Sequence, residues 1–149
     1  MSSKTCWLLA IILLLLPVCS CSSPPDMARV TRVIDGDTIA IEGGYRVRYI
    51  GIDTPEIHPE LEPFGIEALE VNRKLVEGKK VRLERDVSET DKYGRLLRYV
   101  YVDNVLVNAE LVRNGLAEAK AYPPDIKYQD YLEGLEAEAR QTGRGMWAK

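Results

Sequence analysis

The sequence predicts an α+β fold: a five-stranded Greek-key barrel with one inserted helix and C-terminal helices. Three observations predict it. Strand-like segments separated by turns fill most of Ala28–Ile52. A single helical pattern, Gly65–Val76, interrupts the strands after the third. Two further strand patterns follow, and only then does helical periodicity return.

Val30, Val33 and Ile34 lead into Asp35-Gly36-Asp37, a turn-like group, and Thr38–Ile41 is the second strand. Glu42-Gly43-Gly44 is a hairpin turn, because paired glycines accept positive φ. Tyr45–Ile52, rich in β-branched and aromatic residues, reads as the third strand. Pro55, Pro59 and Pro63 keep Asp53–Pro63 in a loop. In the helix Gly65–Val76, Ala68 and Leu69 align with Leu75 and Val76, while Glu67, Glu70, Arg73 and Lys74 face water. Gly78 ends it. Lys79–Asp86 alternates Val81 and Leu83 with Lys80, Arg82 and Glu84. A polar loop, Ser88–Gly94, precedes the fifth strand, Leu96–Val102. Asn108 is expected to cap a short helix ending at Gly115. The last helix runs near Lys127 to Thr142, with Tyr128, Tyr131, Leu132, Leu135 and Ala139 on one face, and Trp147 is expected to pack back on the body. Among small barrels the five-stranded oligonucleotide-binding (OB) fold matches this order best. Fold alone does not give function.

The N-terminal end divides into a signal peptide (1–20), a tether (21–26) and the folded domain (27–149). Lys4 sits in a short polar start, and Trp7–Val18 is apolar. Twelve residues fall short of the ~20 that span a bilayer, so a secretory segment fits better. Val18-Cys19-Ser20-Cys21 resembles the lipobox of bacterial lipoproteins, which implies cleavage before Cys21 and lipid on Cys21. The chain is therefore expected to be exported to the cell envelope on a lipid anchor, or otherwise secreted. Cys6 and Cys19 leave with the leader, so Cys21 has no intramolecular disulfide partner and the fold rests on its core. Ser22-Ser23-Pro24-Pro25 is polar and proline-stiffened, as a tether should be. A monomer is expected.

The 20 basic and 23 acidic side chains give a net charge of −3. Bulk charge therefore does not attract nucleic acid, and any phosphate binding needs a local cationic site. The surplus acid is expected on the last helix, at Asp130, Glu133, Glu136 and Glu138.

Three separated segments carry the chemistry: Ile34-Asp35-Gly36-Asp37-Thr38, Asp53-Thr54-Pro55-Glu56 and Asp91-Lys92-Tyr93-Gly94-Arg95, with Arg48 ahead of the second on the same predicted strand. Asp37 and Asp53 each lie where a β segment turns or ends, so neighbouring strands can bring them to one rim. Two carboxylates and a backbone carbonyl, as at Thr54, form an open hard-oxygen shell that suits Ca²⁺, with Mg²⁺ the alternative. Glu56, held beyond Pro55, is placed to take a proton from attacking water. Arg48 and Arg95 can each present a planar fork to a phosphate, whereas Arg46, Arg82 and Arg98 read as exposed strand arginines. Tyr93, beside Lys92, can stack on a base or touch a terminal phosphate, and Tyr122 can do the same. His58 and the loop acids Glu60 and Glu62 read as exposed. Such a set suits phosphodiester cleavage: cation and arginines offset charge on phosphorus while a carboxylate activates water.

These segments, in this order and spacing, resemble the three signature segments of the staphylococcal nuclease family. The resemblance covers Ala28 to Trp147, including Val107-Asn108, Leu111-Val112 and Gly115-Leu116-Ala117. It implies Ca²⁺ on Asp37, Asp53 and the Thr54 carbonyl, Glu56 as general base, and Arg48 and Arg95 on the scissile phosphate. It implies Lys92, Tyr93 and Tyr122 in a nucleotide pocket, with Asp35 behind the metal ligands. The implied activity is hydrolysis of DNA and RNA, single-stranded or denatured by preference, leaving 3′-phosphate ends. The rival expectations are a non-catalytic nucleic-acid-binding module on the same barrel and a structural envelope lipoprotein.

Overall fold

The computed structural model describes residues 23–149. The expected signal peptide and Cys21, the expected site of lipid, lie outside the described residues. The strands β1 (Met27–Asp35), β2 (Thr38–Ile41), β3 (Arg46–Tyr49), β5 (Lys80–Glu84) and β6 (Leu96–Val102) form a closed barrel. Their spatial order is β3-β2-β1-β5-β6, and a parallel β3–β6 pairing closes the ring. The other barrel pairings are antiparallel. The predicted barrel and its inserted helix α1 (Gly65–Val76) are thus what the chain adopts. Two helices follow, α2 (Val107–Arg113) and α3 (Gln129–Gln141), then a 3₁₀ turn, Gly145–Trp147. Two short strands, β4 (Ile52–Asp53) and β8 (Glu118–Ala119), pair with each other outside the barrel, and β7 (Val105–Leu106) pairs antiparallel with the end of β6.

The barrel interior is filled by Val30, Ile39, Val47, Val81 and Val100, capped from outside by Leu111, Val112 and Leu132. A register shift between Val30 and Arg32 in β1 interrupts the simple alternation. Such an irregularity bends a strand and re-aims its end, here the end that carries Asp35.

Four local expectations need correction. The third strand is not continuous from Tyr45 to Ile52: Ile50 and Gly51 separate β3 from β4. Gly51 has φ +78, and a Cβ there would stand 2.7 Å from Leu132 Cδ1, so the break is set by the close approach of α3. Asn108 does not cap α2; Leu106 precedes that helix. The Asn108 side chain is buried, donating to the Ile50 carbonyl at 2.9 Å and accepting from the Val100 N–H at 2.9 Å. It thereby satisfies a carbonyl freed where the strand breaks. Arg98 is buried rather than exposed, because the 86–90 loop covers that face of β6 and Glu89 pairs with its guanidinium. Tyr131 is exposed, off the buried stripe of α3 formed by Gln129, Leu132, Leu135 and Ala139. Trp147 is half-buried, with the Arg140 guanidinium 3.4 Å from its ring centroid.

Candidate active site

The β1–β2 turn is built by its own side chains. Asp35 Oδ1 accepts from the Asp37 N–H at 3.0 Å, and the Asp37 carbonyl accepts from the Tyr49 N–H at 2.9 Å. Asp37 is buried. Its Oδ2 accepts from both the backbone N–H (2.9 Å) and the hydroxyl (3.1 Å) of Thr54, and its Oδ1 from the Thr38 hydroxyl at 3.2 Å. Gly36 makes that approach possible: a Cβ there would stand 2.5 Å from Thr54 Oγ1 and 2.7 Å from Thr54 Cβ.

Arg48 sits opposite Thr38 in the β2–β3 register. Its Nη1 lies 2.5 Å from Asp37 Oδ2 and its Nη2 2.9 Å from Asp53 Oδ1. One guanidinium therefore spans both acids, and the two carboxylates predicted as metal ligands converge. The sequence-level expectation aimed Arg48 at a phosphate alone; in the fold it also clasps the acid pair.

Two residues at the site were not foreseen. Asn72 is fully buried; its amide donates to the Asp35 carbonyl at 3.2 Å and accepts from the Tyr49 hydroxyl at 2.8 Å. It pins α1 to the acid-bearing turn. Its signal in the sequence is a polar residue midway between Ala68 and Val76 at four-residue spacing. Lys120 is the second, with Nζ 2.7 Å from Asp53 Oδ2. It arrives through the β4–β8 pairing, too short to show as a pattern.

Burial drives the Asp37 carboxyl upward from its ordinary range; the Arg48 charge opposes this and Asp35 adds to it. Glu56 is exposed by surface area, but partial burial also raises its carboxyl, helped by Asp35 and Asp53 and opposed by Arg48. The Glu56 loop is closed by paired bonds with Glu62: the Glu56 N–H donates to Glu62 Oε2 at 2.8 Å, and the Glu62 N–H to the Glu56 carbonyl at 2.9 Å. Glu62 is thus a loop clasp as well as a solvated acid, while His58 and Glu60 are exposed as expected. The bond to Asp53 lifts the Lys120 ammonium above its ordinary value, so it is charged.

Among the described residues no three His, Cys, Asp or Glu side chains group to form a metal-holding shell by themselves. The donors present fit an open one. Two converging carboxylates are hard oxygens, and Thr54, the residue expected to add its carbonyl, is tied directly to Asp37.

The remaining predicted residues gather on a neighbouring cleft of about 430 Å³, lined by Arg48, Lys92, Tyr93, Arg95 and Tyr122 among others. Arg95 uses Nε to bond Asp91 Oδ2 at 2.7 Å. Burial alone would raise the Asp91 carboxyl, but bonds from the Arg95 side chain and from the Arg95 and Tyr93 N–H groups hold it below its usual range. Asp91 thus orients Arg95 and shapes the Lys92–Gly94 turn. Tyr93 (66% exposed) and Tyr122 (45% exposed) stand open at the cleft.

Residues 46–149 match the sequence profile described as "Staphylococcal nuclease homologue". The chain belongs to the staphylococcal nuclease family. Among similar proteins, the thermonuclease of Staphylococcus hyicus is 40% identical over 126 residues, covering 80% of this chain and 75% of that protein. The thermonuclease of Staphylococcus intermedius is 42% identical over 126 residues, with the same coverage. Endonuclease YncB of Bacillus subtilis is 43% identical over 126 residues, covering 79% of this chain and 60% of its own length. The family match includes Arg48, Asp53, Glu56 and Arg95, and begins after the turn that carries Asp37.

Proposed function

We propose that this family member is a Ca²⁺-dependent phosphodiesterase that hydrolyses DNA and RNA with low sequence preference and leaves 3′-phosphate ends. Family membership makes it a nuclease, a hydrolase. One observation carries the finer reading: two carboxylates joined by Arg48 stand beside a cleft holding Arg95, Lys92 and two open tyrosines.

Asp37, Asp53 and the Thr54 carbonyl would hold the Ca²⁺ ion, with Asp35 and Asn72 fixing the turn behind them. Bound there, Ca²⁺ supplies Lewis-acid charge to a phosphate oxygen. Arg95 keeps its Nε on Asp91 and offers its Nη groups to the phosphate. Arg48, which also lines the cleft, adds its guanidinium charge beside the same phosphate. Both gain strength as charge builds on phosphorus. Glu56 accepts a proton from water as that water attacks phosphorus. The bond to the 5′-oxygen breaks opposite the attack, its electron pair leaves with that oxygen, and solvent protonates it. The products are a 3′-phosphate and a 5′-hydroxyl.

Tyr93 and Tyr122 offer faces on which any base can stack, and the cationic groups address the backbone, so sequence preference is low. Stacking needs an unpaired base, which favours single-stranded or denatured substrate. The negative net charge is compatible because the cleft itself carries Arg48, Lys92 and Arg95 against two acids, Asp91 and Asp125. We also propose that Cys21 carries lipid and holds a monomeric domain at the cell envelope; the Val18–Cys21 segment and the Ser-Ser-Pro-Pro tether support this.

The test is cleavage of a defined single-stranded oligonucleotide in Ca²⁺, with product ends identified by mass. Products ending in 3′-phosphate are expected. Ends in 5′-phosphate would overturn the direction of cleavage, and binding without cleavage would favour the non-catalytic module.

A further inference from the structure

We infer that Lys120 is a built-in competitor at the cation site: its ammonium holds Asp53 and so weakens the binding of a divalent ion there. This rests on the reading that Asp37 and Asp53 hold such an ion.

The placement of Lys120 is set by strand pairing. Asp53 lies opposite Glu118 and Ile52 opposite Ala119, and the Lys120 N–H donates to the Gly51 carbonyl at 2.9 Å. That register sets two like charges, Asp53 and Glu118, across from each other, an unfavourable pair. Lys120, next along the chain from Ala119, brings the compensating charge, with Nζ 2.7 Å from Asp53 Oδ2. Arg48 holds the other oxygen, Oδ1, at 2.9 Å. Both oxygens of Asp53 are thus engaged by cations of the chain itself. Arg48 and Lys120 together balance the charges of Asp37 and Asp53.

A divalent ion at Asp53 brings two further positive charges beside these partners, and the repulsion favours loosening one of them. Arg48 is packed, its side chain 13% exposed and shared between two acids. Lys120 is 49% exposed and holds one carboxylate, with its Nζ otherwise only 5.7 Å from the ring centroid of the exposed Tyr122. Lys120 is therefore the partner that yields, and the work of displacing it is subtracted from the ion's affinity. Its removal should leave the fold intact. The side chain fills no buried space, and Asp53 keeps Arg48.

The test is calorimetric titration of CaCl₂ into the purified full chain at low ionic strength. Lys120→Met should tighten the Ca²⁺ Kd by about three- to tenfold, the scale of a partly exposed ion pair. Lys120→Arg, which keeps the charge, should stay within about twofold of wild type. Lys120→Gln repeats the neutral test if the Met variant aggregates. If wild type binds Ca²⁺ and the neutral variants bind it equally or more weakly, the inference fails while the acid-pair reading stands. If Lys120→Arg tightens binding as much as Met does, charge competition is wrong. If neither wild type nor the neutral variants bind Ca²⁺, the acid-pair reading falls, and this inference with it.

Discussion

Replacing Gly36 by Ala tests how the turn and the Thr54 segment are locked together. The backbone at Gly36 is not in the left-handed region, so a methyl group meets no conformational penalty of its own. The cost is steric. The new Cβ would lie 2.5, 2.7 and 2.8 Å from Thr54 Oγ1, Cβ and Cγ2. Thr54 is buried and β-branched, so it has few other rotamers to adopt. It must move away from Asp37, weakening the N–H and hydroxyl bonds at 2.9 and 3.1 Å. Overpacking typically costs about 1–3 kcal/mol, and a hydrogen bond to a charged group contributes about 1.5–3 kcal/mol. The two overlap, so about 3 kcal/mol is expected, or roughly 10 °C in Tm for a domain of this size. Urea unfolding reads the stability, and CaCl₂ titration reads the site, where affinity should fall at least tenfold. A variant within about 0.5 kcal/mol of wild type, the range of an ordinary surface change, with unchanged Ca²⁺ affinity would refute the lock.

Arg95→Ala should fold normally yet cut at least 10²-fold more slowly, on the order of 3 kcal/mol, with Arg95→Lys a poor rescue; a rate within threefold of wild type would remove Arg95 from the chemistry. Bonds from Arg98 and Arg85 hold the Glu89 carboxyl below its ordinary value of 4.5, so its stabilisation is present above that pH and is lost as pH falls through the lower folded value. Glu89→Gln should therefore flatten the acid limb of stability against pH below about 4.5, and an unchanged acid limb would contradict the pairing. Expressed in a bacterial host, the wild type should partition with membranes and Cys21→Ser should lose the lipid; an unmodified N-terminus at another residue, in released protein, would exclude the anchor.

The barrel was legible because its inward residues alternate and its turns carry glycine. Val81 and Leu83 against Lys80, Arg82 and Glu84 is a pattern one strand can state alone. Arg98 reads as exposed from the strand pattern alone, but β6 is buried on both faces at Arg98, Tyr99 and Val100, and the 86–90 loop just ahead of the strand folds back over Arg98. Asn108 looked like a cap because polar residues before helices usually are caps. Its actual partners, Ile50 and Val100, become visible only once the strand breaks. The acids, arginines and tyrosines of the candidate site stood in compact segments, whereas Lys120 depends on a two-residue strand pairing far along the chain. Asn72 depends on the depth of α1 against the barrel. Local motifs announce themselves; groups brought in by tertiary pairing do not.

The most direct measurement follows hydrolysis of denatured DNA and Ca²⁺ binding in the same samples, for wild type and for Asp37→Asn and Asp53→Asn. One Ca²⁺ should bind the wild type, and cleavage should rise with occupancy, stop in excess chelator, and be largely lost with binding in both variants. Full cleavage in excess chelator, or in variants that no longer bind Ca²⁺, would contradict a hydrolytic site built on this acid pair.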